Sequence, residues 1–329
     1  MTQLVILNKR PHQHDAEMLA GTTGLPLSRS VPAGGVGIAF GPRGIELLTE
    51  RDKVGHGVGL NVEWIQRELE AGAHALRSDP LIRAVGGAAP NGVMPVPRLP
   101  QPAGSEPRDG PGTVDIAAAS ALVRARPLIV DATAGFCNDA FHLAAVGFRV
   151  VALERHPAIH IVTWFNAVKW QRDPLLGMAA RAVEMQCADS RVVLPRLRET
   201  PGVILLDPMF PPKRRRSALP PKPIQVLRLL AGDDEDATDL LAVARAVASR
   251  RVVVKRADDA PPLGDLWPDW SVQGKTVRYD VYSRVPERAP ANTGDAEGRS
   301  GGECGGACEE GKGSQGGQAG GAGGSSSGA

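Results

Sequence analysis

Four carboxylates stand at the ends of apolar runs. Asp131, Glu154 and Asp207 directly follow the runs 127–130, 149–153 and Val203–Leu206, and Asp189 comes a short loop after the weaker run 182–185. If those runs are neighbouring parallel strands, the four acids collect along one sheet edge, where α/β folds bind ligands. One carboxylate at a strand end also serves as a helix cap or a turn residue; four together point to a site. The loop Asp131-Ala-Thr-Ala-Gly135-Phe-Cys-Asn-Asp139 has a single glycine, where a dinucleotide fold needs Gly-x-Gly-x-x-Gly to close backbone amides on a pyrophosphate. Its acids repel phosphate and suit a cation. S-adenosylmethionine carries a sulfonium and an ammonium and no phosphate, so it is the ligand expected there. Glu154 lies 23 residues past Asp131, where an acid hydrogen-bonds both ribose hydroxyls of an adenosine, a spacing that NAD enzymes share.

The turn Asp207-Pro208-Met209-Phe210-Pro211-Pro212 resembles the Asp/Asn-Pro-Pro-Tyr/Phe motif of amino-methyltransferases, which act on exocyclic base nitrogens. An aromatic amine delocalises its lone pair into the ring, so such a site must orient the nitrogen. The Asp207 carboxylate and the Pro208 carbonyl accept the amine hydrogens while Phe210 stacks on the base. A proline-rich turn closing a strand is the plainer alternative. The run Lys213-Arg214-Arg215-Arg216, with Lys222 soon after and Lys255 and Arg256 at a later strand end, reads as a phosphate-backbone patch beside that motif, or else as a solvated loop. His156 and His160 stand one helical turn apart and His142 on another helix, with no further ligand evident, so no metal is expected. Cys137 and Cys187 lack a motif for nucleophilic catalysis, and Cys304-x3-Cys308 lacks a second ligand pair.

The elements that position these residues alternate. Between the first two strands, 139–146 reads as a helix closed by Gly147. Pro157–Trp170 is a helix, 237–249 another, and 251–254 a strand running into Lys255. Trp270–Gln273 and 277–282 flank Gly274-Lys275-Thr276 as a hairpin, and 115–124 reads as a helix before the first strand. The fold expected is α/β, Rossmann-like, a mostly parallel sheet with a C-terminal antiparallel hairpin, plus a small N-terminal α+β domain. The divisions are 1–86, a Gly/Pro-rich linker 87–113, the main domain 114–286, and a disordered Gly/Ser-rich tail 287–329 that holds 15 of the 39 glycines.

Composition narrows the classes. With 329 residues, 42% of them apolar, the chain is long enough for a sizeable core, and 38 basic against 36 acidic side chains leave no global field for nucleic acid. Four cysteines form no disulfide framework and suggest a reducing compartment, the cytoplasm by default. No apolar run approaches the roughly 18 residues of a membrane span, and Leu4-Val-Ile-Leu7 reads as a first strand rather than a secretory signal.

Val130-Asp-Ala-Thr-Ala-Gly135, Asp139-Ala-Phe141, Leu153-Glu-Arg155, Leu206-Asp-Pro-Met-Phe-Pro211, Ser217-Ala-Leu219, Arg251-Val-Val-Val-Lys-Arg256 and Ala260-Pro-Pro-Leu263 together resemble the bacterial RsmJ family. The likeness runs from about 114 to 285 and is fainter around 47–70. It implies a class I methyltransferase that moves a methyl group from S-adenosylmethionine to the exocyclic N2 of a guanine in 16S small-subunit rRNA. Carried over, it implies cofactor contacts at Asn138, Asp139, Glu154, Arg155, Asp189, Ser190 and Asp207, beside Asp131 and Gly135 of the same edge. The family usually has Gly-Leu-Gly-Arg-Asp where this chain has Gly135-Phe136-Cys137-Asn138-Asp139. That places a side chain at Cys137 where backbone would meet the cofactor, and an amide at Asn138 in place of a cation. The alternatives are another acceptor on the same fold, such as DNA adenine or a protein amide, and a non-catalytic RNA-binding or ribosome-assembly protein.

Overall fold

The computed structural model describes residues 2–41, 44–53, 55–71, 79–87, 128–209, 221–232 and 236–284. The helix expected at 115–124, the linker, the tail, Phe210 and the cationic run 213–216 lie outside the described residues. Everything described belongs to one compact unit, Met1–Pro286.

The larger sheet has seven strands: β5 (Leu128–Asp131), β6 (Arg149–Glu154), β7 (Val183–Cys187), β8 (Val203–Leu206), β9 (Arg251–Ala257), β10 (Trp270–Gln273) and β11 (Val277–Ser283). Their order is β10-β11-β9-β8-β5-β6-β7, parallel except for β11, which runs antiparallel to both neighbours. The order reverses between β5 and β8, so the ligand crevice belongs at their carboxyl ends. The strands are apolar throughout because both faces are covered. Ile129, Val203, Leu205 and Val253 point to one core and Leu128, Val130, Ile204 and Val252 to the other.

The first core is shared with α4 (Asn138–Ala145), α6 (Gly177–Arg181), α2 (Glu63–Ala71) and α3 (Pro80–Val85), the last capped by Asp79, whose side chain accepts the Leu81 N–H at 2.7 Å. The second is closed by α9 (Ala237–Val247) through Leu240, Leu241 and Ala244, beside the short α7 (Ser190–Val193). Helix α5 (Pro157–Trp170) starts where Pro157 fits the first turn without a missing hydrogen bond.

A four-stranded sheet, β2-β1-β3-β4, comes from β1 (Leu4–Leu7), β2 (Leu27–Ser28), β3 (Val36–Gly41) and β4 (Gly44–Thr49), with α1 (Gln13–Thr23) against it. It shares a core with α5 and α8 (Lys222–Ala231): Ile38, Ile45 and Leu47 meet Ile159, Val162 and Val226. Buried Asn166 locks this contact. Its Oδ1 accepts the Ile45 N–H at 3.0 Å and its Nδ2 donates to the Ile45 carbonyl at 2.7 Å. Gly44, at φ +127°, is required there, because a Cβ would collide with Asn166 Oδ1.

Candidate active site

A cleft of about 830 Å³ opens at the carboxyl ends of β5, β6, β8 and β9. Of the residues singled out in the sequence, Asp131, Gly135, Asn138, Asp139, Glu154, Arg155, Asp189, Ser190, Asp207, Pro208 and Lys255 all line it. Phe210 lies outside the described residues. Most of the polar lining residues stand where a strand ends or a helix begins, while Lys255 reaches in from within β9.

Glu154 ends β6, with 8% of its surface exposed. Its Oε2 accepts the Gly135 N–H at 2.9 Å and its Oε1 the His156 N–H at 2.7 Å, so both oxygens are oriented by backbone. Gly135 turns the chain at φ +52°, in the left-handed region that glycine takes without strain. Phe136 then packs with Ile159 and Val226, and Cys137, at φ +56°, starts α4.

The sequence reading put the Cys137 side chain where the cofactor would meet backbone. The structure corrects this. Cys137 is fully buried, packed in the core with Ala140 and Phe141, and does not line the cleft. Burial and the neighbouring Asp131 and Glu154 charges push its thiol well above the usual range.

A second group gathers at Asp131, 2% exposed at the end of β5. Burial, and then the Asp139 and Asp207 carboxylates, push it up to about 8, against the opposing Thr133 N–H bond and the Lys255 charge. Asp207 follows β8, and its backbone N–H donates to the Thr133 hydroxyl at 2.5 Å. Lys255 reaches in from β9 to Asp139, at 2.7 Å, and to Asp207, at 3.0 Å.

Lys222 and Lys255 were read as members of a phosphate-binding patch, and the structure places them otherwise. Lys255 is committed to two carboxylates inside the cleft, whose charges hold it well above the usual lysine range against the opposing desolvation. Lys222 is paired with Asp52 and donates to the His56 carbonyl at 2.8 Å, which ties α8 to the segment after β4.

At the other rim Asp189 caps α7, accepting the Arg191 N–H at 2.9 Å, and forks onto the Arg191 guanidinium at 3.1 and 2.6 Å. The Arg191 hydrogen bond holds its carboxyl below the ordinary range. Arg191 and Arg155 share Asp236, at 3.0 and 2.9 Å. Ser190 donates to the Ala132 carbonyl at 2.6 Å. The apolar side chains of Ile159, Ile224, Leu227 and Leu240 line the same cleft.

Thr133, Arg191, Asp236 and the α8 wall were not singled out from sequence. Thr133 had a readable signal, a hydroxyl two places after a strand-end acid. The others become neighbours only through the fold.

A cleft of this size holds a cofactor of adenosine size. A cleft lined by carboxylates and apolar side chains, with no glycine-rich phosphate cradle, fits S-adenosylmethionine rather than a dinucleotide. Among the described residues no group of three His, Cys, Asp or Glu is arranged to hold a metal ion, and no helix is long and apolar enough to cross a membrane.

Comparison with known proteins agrees with this geometry. The family described as "Putative SAM-dependent methyltransferase" matches residues 109–284. The Ribosomal RNA small subunit methyltransferase J of Thioalkalivibrio sulfidiphilus is 44% identical over 159 residues, 48% of this chain and 62% of that protein. The protein of the same name from Cronobacter sakazakii is 43% identical over 161 residues, 49% of this chain and 64% of the relative. The chain thus spans less than two thirds of the length of these relatives. A crystal structure of an SAM-dependent methyltransferase from Neisseria gonorrhoeae shares the fold, with a TM-score of 0.54 at 20% identity, covering 87% of this chain and 98% of that one.

Proposed function

The chain belongs to the SAM-dependent methyltransferase family, and on that premise we propose that it methylates the exocyclic N2 of a guanine in small-subunit ribosomal RNA, in the cytoplasm. The observation that carries this reading is the meeting of Glu154, Asp189 and the Asp207-Pro208 turn in one cleft at the reversal of strand order. The two relatives named for small-subunit ribosomal RNA support the acceptor.

S-adenosylmethionine supplies an electrophilic methyl group when bound. Glu154, its carboxylate set by the Gly135 and His156 N–H groups, is suited to accept the ribose hydroxyls. Asp189 and Ser190 would hold the adenine end, against Ile159, Ile224 and Leu227. Asn138, Asp139, Arg155 and Asp131 complete the cofactor wall.

Asp207 and the Pro208 carbonyl accept the amine hydrogens, and Phe210 stacks on the base. Transfer then rests on positioning, since the amine proton is acidified as the nitrogen becomes cationic. The run Lys213 to Arg216, five places past Pro208, would grip the RNA backbone.

Mass spectrometry of 16S rRNA nucleosides from cells with and without the gene tests the reading. Loss of one N2-methylguanosine in the deletion is the expected result. An unchanged nucleoside profile contradicts it.

A further inference from the structure

Lys255 lies at a meeting of five elements. Its ammonium, on β9, is 2.7 Å from Asp139 in the first turn of α4 and 3.0 Å from Asp207 after β8, with 22% of the side chain exposed. From β11 its cross-strand partner is Tyr279, 7% exposed, and from β5 the buried Asp131 faces the same group. The cluster therefore holds three carboxyls, one phenol and one ammonium. Asp131 holds its proton up to about pH 8, so at neutral pH the ammonium faces two carboxylates, Asp139 and Asp207, whose mutual repulsion it offsets.

We infer that Lys255 is a positioning residue for methyl transfer: its ammonium holds Asp207 ionised and fixes its carboxylate toward the acceptor amine, with Asp139 as the second anchor. The inference rests on the transfer to an exocyclic nitrogen proposed above. The amine nitrogen gains the methyl carbon as the carbon–sulfur bond breaks, the electron pair staying on sulfur. Its proton passes to Asp207 and then to water. Asp207 is the more open end of the bridge, 44% exposed against 21% for Asp139, so a carboxylate gripped by Lys255 still faces the cleft. A pair kept for stability alone gains little from such partial burial, because desolvation offsets the attraction.

The test compares Lys255→Met and Lys255→Arg by two readouts. One is carbon-13 carboxyl titration of the full cofactor-free protein, the Asp207 signal assigned through Asp207→Asn. The other is the pH profile of methyl transfer to small ribosomal subunits. In Lys255→Met the Asp207 midpoint should rise by about one to three pH units. The acid limb of kcat should rise with it, so that turnover below the limb falls about tenfold or more while KM for the cofactor changes little. Lys255→Arg, which keeps the charge, should return both toward the native values.

An unmoved Asp207 midpoint in folded Lys255→Met overturns the inference. Should that variant fail to fold, Asp139→Asn probes the same bridge from its other end: with one competitor removed the Asp207 midpoint should fall, and a midpoint unmoved or raised overturns the inference. A native protein that methylates no ribosomal RNA would defeat the functional reading, while the titration still decides what Lys255 does to Asp207.

Discussion

The backbone N–H of Asp207 donates to the hydroxyl of Thr133 at 2.5 Å, which ties the turn after β8 to the loop after β5 across the point where strand order reverses. The Asp-Pro turn is therefore tied to the loop that borders the cleft. Thr133→Val keeps the shape and removes the acceptor. The loss of one hydrogen bond is about 0.5–1.5 kcal/mol, so single-turnover transfer should slow by roughly 2- to 10-fold with cofactor affinity unchanged. An unaltered rate would show that the tie does not set the turn.

Glu154 accepts two backbone N–H groups and borders the cleft, so its charge sets the loop geometry and, on the proposed function, also meets the cofactor. Glu154→Gln keeps the size but sets one amide donor against an N–H or a ribose hydroxyl. Hydrogen bonds to a charged group are worth about 1.5–3 kcal/mol, so calorimetry should show roughly 10- to 100-fold weaker binding of S-adenosylmethionine. Native affinity in this variant would remove Glu154 from the cofactor site.

Asp131 gives stability a pH dependence of known sign. Its folded value, about 8, lies above the ordinary 3.8, so between them the native state holds a proton that the unfolded chain has lost. Its contribution is complete below about pH 4 and is lost as pH rises through 8, at most about 1.4 kcal/mol per pH unit. Urea unfolding at pH 5 and pH 8 should show the native protein losing stability over this window. Asp131→Asn, which mimics the neutral carboxyl, should lose less, and an identical slope in both proteins would exclude Asp131 as the source.

The two cysteines among the described residues differ in access. Cys137 is sealed in the core and Cys187 is exposed at the end of β7. Alkylation of the native protein followed by peptide mapping should modify Cys187 and spare Cys137 until the fold opens. Early labelling of Cys137 would place its thiol in the cleft after all.

The legibility of the sequence follows the range of the interactions involved. Pro157–Trp170 and the hairpin around Gly274 are set locally, by a proline at the first helical turn and by a short turn between apolar strands, and both stand where they were expected. The strand-end acids were legible for the same reason, because an apolar run that stops at a carboxylate marks its own end. Helix α8 was not, since Val226 and Leu227 acquire a partner only when Ile38 and Ile45 arrive from the N-terminal sheet. Lys255 was misread because Lys-Arg in sequence looks like a patch, whereas β9 and α4 turn the lysine onto Asp139. Nothing in the sequence shows that Cys137 adopts a positive φ, and with it the inward turn of its side chain.

The central claim is that the Asp207 turn presents a base nitrogen to a methyl donor bound among strand-end carboxylates. Transfer of radiolabelled methyl from S-adenosylmethionine to small-subunit rRNA by native and Asp207→Ala protein tests it most directly, with melting curves run alongside. The expected result is label in N2-methylguanosine with native protein and none with Asp207→Ala at an unchanged melting temperature. Equal labelling by the two proteins would contradict the account.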